Sequence, residues 1–350
     1  MHIINGFKIS GIASRFPQKI AKTDDYAYFT KDEAQKFKEN VGIHERRIVE
    51  GGTCASDLCE AATRDLMSGL GWSGGDVDAF IMITQTGDFP VPATSIILQN
   101  KLSIKKEAIC FDINLGCSSF PYGLYVVGAL LRAGGLRRAI LSIGDVSSKV
   151  CSYADKSSYP LFGDAGTAIA LEVNDKNSKF VFDLMTDGSG YKAIIIESGG
   201  LASRNPSRVE SLTDIEVSPG IRRNELNLVL KGADIFSFAI SKVPHSILEV
   251  SRAIGAEVSQ CDYLVLHQAN KLINNQIVRK VKVDPARSLS TLEKFGNTSS
   301  ASIPLTITAH ADLFRGKARS IIASGFGVGL SWGTVAFDLM TDVYYSHKEY

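Results

Sequence analysis

The chain has 350 residues, 45% of them apolar, with 31 glycines and a formal net charge of +1. That length calls for two domains or one large duplicated one, and the apolar fraction suits a packed α/β protein rather than a disordered chain. Balanced charge excludes bulk attraction to nucleic acid or to a membrane surface, and no apolar run reaches bilayer length.

Met1 to Gly6 lacks the basic-then-apolar pattern of a signal peptide. The six cysteines are dispersed, with no CxxC pair and no metal-ligand spacing beside the six histidines. Reduced thiols in a soluble cytoplasmic protein are the expectation. Ile3 to Ala13 reads as a first strand, and Asp24 to Asn40 as a charged helix leading to Gly42-Ile43-His44-Glu45-Arg46-Arg47. Cys54 to Leu70 is an amphipathic helix with Leu58, Ala61, Ala62, Leu66 and Leu70 at helical spacing. Asp78 to Thr84 is a buried strand, Ala93 to Leu102 a helix and Ala108 to Phe111 a short strand.

Cys117 follows, where that strand turns into a helix that is apolar on nearly every side, Tyr122 to Leu131. Pro121 falls in the first turn, where its missing N–H costs nothing. A thiol at a helix start faces unpaired N–H groups and the positive end of the dipole, which favours the nucleophilic thiolate. The competing reading is a small buried core cysteine. Arg138 to Ile143 is the next strand, and Gly163 to Thr167 turns into the strand Ala168 to Val173. The polar turn Asn174 to Ser178 is the expected boundary, dividing the chain into halves 1–173 and 174–350. Strands alternating with helices give a mostly parallel sheet.

The second half echoes the first. Asp262 to Gln268 answers Asp78 to Gln85, Gly296-Asn297-Thr298-Ser299 answers Gly116-Cys117-Ser118-Ser119, Ile303 to Leu313 answers Tyr122 to Leu131, and Arg319 to Gly325 answers Arg138 to Gly144. Gly116 to Gly144 spans 28 residues and Gly296 to Gly325 spans 29. Four pairings in one order indicate duplication. Cys117 and Asn297 would then stand at pseudo-symmetric helix starts facing one cleft, and His267 ends an apolar strand at the same sheet edge. A lone histidine in such a place is most simply a satisfied core residue. With Cys117 and Asn297 it has two functional readings, as base for the thiol or as one of two donors to an oxyanion. Gly325-Phe326-Gly327-Val328-Gly329 is either a tight turn before the strand Trp332 to Leu339 or a close-approach loop offering a backbone N–H.

Taken together, Gly42 to Arg47, Gly116-Cys117, Leu161 to Gly166, Asp187-Gly188-Ser189, His267 to Asn270, Gly296 to Ser299 and the Gly325 loop make the chain resemble the beta-ketoacyl-acyl-carrier-protein synthase III family over nearly its whole length. These are thiolase-fold condensing enzymes. The resemblance implies an α/β, thiolase-like, five-layered αβαβα fold of two duplicated halves, usually a homodimer. It implies decarboxylative Claisen condensation of a Cys117-bound acyl primer with a malonyl thioester. The substrates would be acyl-coenzyme A or an acyl carrier protein thioester and malonyl-acyl carrier protein, with no cofactor or metal. His267 and Asn297 would hold the enolate oxygen, and the N–H groups of Cys117 and Val328 would form a second oxyanion hole, with Phe326 against Cys117.

Related families fit less well. The glycine loop lacks the second cysteine of thiolases, and no catalytic glutamate of hydroxymethylglutaryl-coenzyme A synthases can be placed near Gly87-Asp88-Phe89. Plant-type polyketide synthases share a similar loop, but the Leu161 and His267 motifs fit synthase III better. A dinucleotide-binding loop would be followed by a helix, which Gly325 to Gly329 is not. Intact Cys117, His267 and Asn297 argue against a catalytically silent scaffold.

The helix after Asn270 sets Lys271, Arg279, Lys280 and Lys282 around a stripe of Leu272, Ile273, Ile277 and Val281. A solvated face is its plain reading; in the family this region docks an acidic acyl carrier protein, which singles out Lys271 and Arg279. Where housekeeping initiators grip the coenzyme A adenine with an aromatic ring and two arginines, this chain has Lys36, Asn40 and Lys156. Neither lysine has the planar fork of arginine, and none of the three offers a ring. Val91, near where a partner subunit limits the acyl pocket, replaces a bulkier residue. The expectation is a specialised condensing enzyme with weak coenzyme A affinity and an acyl group larger than acetyl; a secondary-metabolite or surface-glycan pathway with a non-acetyl donor stands as the alternative to fatty acid biosynthesis. The long polar connection Ser189 to Lys231 is expected to cover the substrate entrance, or else to be an ordinary surface insertion.

Overall fold

In the computed structural model, which describes residues 1–174, 178–200 and 213–350, two six-stranded sheets face each other across two buried helices. From edge to edge, one sheet runs Tyr344–Glu349, Phe7–Phe16, Ala165–Val173, Arg138–Asp145, Ala79–Ile83 and Ile109–Ile113. The other runs His2–Asn5, Lys179–Thr186, Ser331–Leu339, Arg319–Gly327, Tyr263–Leu266 and Ser288–Leu289. From the second strand inward, each shows the same pairings in the same order: antiparallel, antiparallel, parallel, parallel. This is the duplication read from the sequence, now as topology.

Helices complete five layers. Ala55–Leu70 and Thr94–Lys101 cover the outer face of the first sheet, Ser119–Arg132 and Ser302–Ala309 lie between the sheets, and Gly232–Ile254 with Lys271–Lys280 covers the second. The inner pair is apolar almost all round, as a helix buried on every side must be; every residue from Ser302 to Thr308 is buried. The two inner helices start on the same side of the molecule, and this places Cys117 and Asn297 at a common cleft.

Several elements differ from the sequence reading. Ile3 to Ala13 is two strands, because Gly6 turns with a φ of 82° and sends His2–Asn5 to the other sheet. The C-terminal strand crosses the opposite way, so a cut at residue 173 leaves each half without one edge strand. The helix expected from Asp24 starts only at Lys31, where Thr30 and Glu33 form a reciprocal capping box. The last inner helix ends at Ala309 rather than Leu313. Gly232–Ile254, a 23-residue helix with Pro244 inside, was not read from the sequence at all. The polar turn at 175–177 and residues 201–212 lie outside the described residues.

Candidate active site

Cys117, His267 and Asn297 line one cavity of about 520 Å³, together with Phe326 and Val328. Each is held by a different local device. Cys117 follows the strand Ile109–Ile113 in a turn closed by the Ser119 N–H donating to the Gly116 carbonyl at 3.0 Å. Over it lies the hairpin of Arg319–Gly327 and Ser331–Leu339. The expected Gly325 loop is thus mostly strand; the chain turns only at Val328 to Leu330. A Cβ on Gly327 would stand 2.7 Å from Cys117 Sγ, so only glycine lets the hairpin come this close. The Ser118 and Ser331 hydroxyls, 2.7 Å apart, tie the two together.

Burial pushes the Cys117 thiol up to about 12; the Val328 N–H, and more weakly the Cys117 N–H, pull the other way by donating to the sulfur, while the Asp145 carboxylate adds to the rise. Removal from water thus opposes the helix start, which by itself favours the thiolate. Those two N–H groups are the pair that the family resemblance assigned to an oxyanion hole.

His267 caps the strand Tyr263–Leu266, its N–H donating to the Ser324 carbonyl at 2.8 Å. Burial lowers its pKa to about 3, with a hydrogen bond to the Ser299 backbone acting in the opposite direction. Its Nδ1 lies 2.7 Å from Ser302 Oγ, and the Phe326 ring stands edge-on at 5.5 Å between centroids. Ser302 Oγ engages Nδ1, and the tautomer with its proton on Nε2 would give the neutral ring a donor. Phe326 therefore buttresses His267, while Gly327 is the residue directly against the thiol.

Asn297 follows Gly296, whose φ is 64°. Its Oδ1 accepts the Ser299 N–H at 2.9 Å, which leaves the Nδ2 donors for the cavity. Its backbone is strapped by the first half: the Asn297 N–H donates to the Leu161 carbonyl at 2.9 Å and the Gly163 N–H donates to the Asn297 carbonyl at 3.0 Å. A Cβ on Gly163 would be 2.1 Å from the Phe295 carbonyl oxygen. Arg46, fully buried beneath the strap, donates to the Tyr159 and Phe162 carbonyls at 2.6 and 2.8 Å. The motif Gly42 to Arg47 thus supports Asn297 from below.

The remaining candidates lie farther out. Lys271 and Arg279 both line a second groove, of about 920 Å³, with Lys38, His44 and Lys282. On their helix Ile273, Ile277 and Val281 are buried as expected, but Leu272 is half exposed and leaves the stripe. Lys36 and Asn40 sit on the solvent face of Lys31–Val41. Lys156 is tied to Glu33 at 2.9 Å. None of these three lines the cavity. Of the connection Ser189 to Lys231, the described residues Ile194, Ile195, Ile196, Leu228 and Leu230 form one cavity wall.

Three features escaped the sequence. Ser302 and the buried Asp145 are the first two; Asp145 joins Thr84, Gln85 and Thr86 to the Ser300 N–H of the other half. The third is a cluster of Tyr26, Tyr28, Phe29, Tyr153 and Tyr159, in which Tyr28 and Tyr153 keep exposed faces. Aromatic surface is thus present at Tyr153, three residues before Lys156, though not at Lys36, Asn40 or Lys156 themselves.

Two equivalent sheets around a pair of inner helices, with a cysteine at the head of one, are the architecture of a thiolase-fold enzyme. Comparison with known proteins narrows that class. The family model described as "3-Oxoacyl-[acyl-carrier-protein (ACP)] synthase III" matches residues 111–188, and its C-terminal counterpart matches 252–339. The synthase III of Rhodopirellula baltica is 32% identical over 95% of this chain and 99% of its own, and that of Bordetella petrii 31% over 93% and 96%. A crystal structure of a 3-oxoacyl-(acyl-carrier protein) synthase from Burkholderia xenovorans superposes with a TM-score of 0.92 at 31% identity, covering 100% of this chain and 98% of that one. The chain belongs to the beta-ketoacyl-acyl-carrier-protein synthase III family of acyl-transferring condensing enzymes.

Proposed function

We propose that this protein joins an acyl primer, carried on Cys117, to a malonyl thioester by decarboxylative Claisen condensation. The observation that carries the reading is the convergence on one cavity of a thiol held by two backbone N–H groups and two neutral side-chain donors. In the first half-reaction the Cys117 sulfur attacks the primer thioester carbonyl, and the departing thiol leaves with the proton. The oxygen that gains charge is met by the N–H groups of Cys117 and Val328. In the second, the bond from the malonyl methylene carbon to its carboxylate breaks and carbon dioxide leaves. The electron pair passes into an enolate whose oxygen accepts from His267 Nε2–H and Asn297 Nδ2–H. The enolate carbon then attacks the acyl-cysteine, and the Cys117 sulfur departs as thiolate and takes up a proton from water, giving ping-pong kinetics. Because burial lowers the His267 pKa to about 3, its imidazole is a poor base, which supports the donor reading over the base reading.

The outer residues bear on the acyl donor. Lys36, Asn40 and Lys156 provide no ring and no guanidinium, and Lys156 is already paired with Glu33. This supports loading with a non-acetyl group from a carrier protein, with a secondary-metabolite or surface-glycan pathway as the alternative to fatty acid biosynthesis. The basic groove at Lys271 and Arg279 is where an acidic acyl carrier protein would dock. The exposed edge strand Ile109–Ile113 supports a homodimer, and a soluble cytoplasmic setting without cofactor or metal completes the reading. The test is intact-mass measurement of Cys117 after exposure to one acyl group on coenzyme A and on carrier protein. Faster loading from the carrier is expected; a clear preference for acetyl-coenzyme A returns the chain to fatty-acid initiation. Reversing the charge of Lys271 and Arg279 together should raise the carrier-substrate KM, more at low salt than at high.

A further inference from the structure

The cavity beside Cys117 has two unlike walls. One is the apolar run Ile194 to Ile196 with Leu228 and Leu230. The other carries Gln85, Asn114 and Ser147, each just beyond the end of one of three adjacent strands. Gln85 Nε2 donates to Asn114 Oδ1 at 3.1 Å, which leaves Gln85 Oε1 as an acceptor and Asn114 Nδ2 as a donor with no partner among the described residues. Ser147 is only 5% exposed, and its hydroxyl has no partner among the described residues either. Other polar groups on this side are spoken for: the Thr86 hydroxyl by Asp145 and the Val146 N–H, the Ser157 hydroxyl by Asp155. The Gln85 side chain stands next to the nucleophile's turn, since a Cβ on Gly116 would lie 2.5 Å from its Oε1. Asp145 fixes the wall by accepting the Gln85 N–H at 2.8 Å.

An alkyl chain laid along this wall would cover the buried Ser147 hydroxyl, and the cavity side of two amides that elsewhere meet solvent, without offering any of them a partner. A substituent that both donates and accepts would satisfy them. We infer that the primer is an acyl group carrying a hydrogen-bonding substituent, a hydroxyl in the first instance, with its carbon chain against the isoleucine wall. The inference rests on the proposal that Cys117 is acylated. Gln85 and Asn114 keep exposed surface, so the discrimination is smaller than a sealed site would give.

The test is the rate at which butyryl and 3-hydroxybutyryl pantetheine thioesters, each hydroxy enantiomer separately, add to Cys117, read by intact mass. About a tenfold preference for one hydroxyacyl enantiomer is expected. Ser147→Ala combined with Gln85→Leu should bring the two rates together by slowing the hydroxyacyl group while sparing butyryl. Equal or faster loading of butyryl by the wild type overturns the inference. So does a preference that survives the double variant, or a variant that changes oligomeric state on size exclusion and leaves selectivity intact. If neither thioester loads Cys117, the proposed function itself has failed rather than the choice of primer.

Discussion

The heads of the two inner helices occupy equivalent places in the two sheets and are put to opposite uses. At the first, Cys117 is roofed by a hairpin from the second half, whose Val328 N–H reaches its sulfur. At the second, Asn297 is strapped by Leu161 and Gly163 from the first half, and its own Oδ1 is turned back on the Ser299 N–H. Each half thus holds in place a cavity-lining residue of the other. Duplication supplied two equivalent helix starts; division of labour came from what the opposite half lays over each. On the proposed function, one is a place for a nucleophile and the other a place for a neutral donor.

The largest effect that would sharpen this contrast is loss of the nucleophile. Cys117→Ala should lower condensation by at least about a thousandfold while carbon dioxide release from a malonyl thioester continues, measured by radiolabel loss from the malonyl carboxylate. Asn297→Ala should act on the other side only, with Cys117 still acylated and condensation down by about a hundredfold to a thousandfold. Next in size is the strap. Gly163→Ala forces a side chain into the Phe295 carbonyl and should destabilise the fold by about 1–3 kcal/mol in chemical denaturation. An unchanged midpoint would show that the strap does not hold Asn297.

Smaller effects come from protonation. With its thiol pushed up to about 12, Cys117 should be alkylated by iodoacetamide at a rate still rising with pH above 9; a plateau near neutrality would restore the helix-start thiolate. His267, lowered from 6.5 to about 3, stays neutral in the fold while its unfolded counterpart gains a proton below 6.5. Stability that is complete above that value is therefore lost as the pH falls towards 3. At pH 5 the loss is about 2 kcal/mol, and melting of His267→Asn should fall less steeply between pH 6.5 and 5.

Much of this site was legible in the sequence because its parts lie at element ends that apolar periodicity marks clearly. Cys117 heads a helix with no polar face, His267 closes a short apolar strand, and the glycines around Asn297 and Gly327 flag close approach. Three things were not legible. The resting state of the thiol depends on how deeply packing buries it, and a helix start alone gives the opposite sign. The partner of His267 is Ser302, 35 residues away in sequence and unremarkable among the serines around Asn297. The helix Gly232–Ile254 follows a long polar connection and contains Pro244, so its apolar positions Phe238, Ala239, Val243, Ile247 and Val250 went unread. The split of His2–Asn5 from Phe7–Phe16 turns on one glycine whose positive φ is visible only in the backbone.

The central claim is that thiol and neutral donors serve separate half-reactions. It is tested most directly by following both in His267→Ala, with circular dichroism to confirm the fold. Intact mass should show Cys117 acylated at near the wild-type rate, while carbon dioxide release from the malonyl thioester falls by about a hundredfold or more. A folded His267→Ala protein that cannot be acylated would make His267 the base for the thiol and contradict the account.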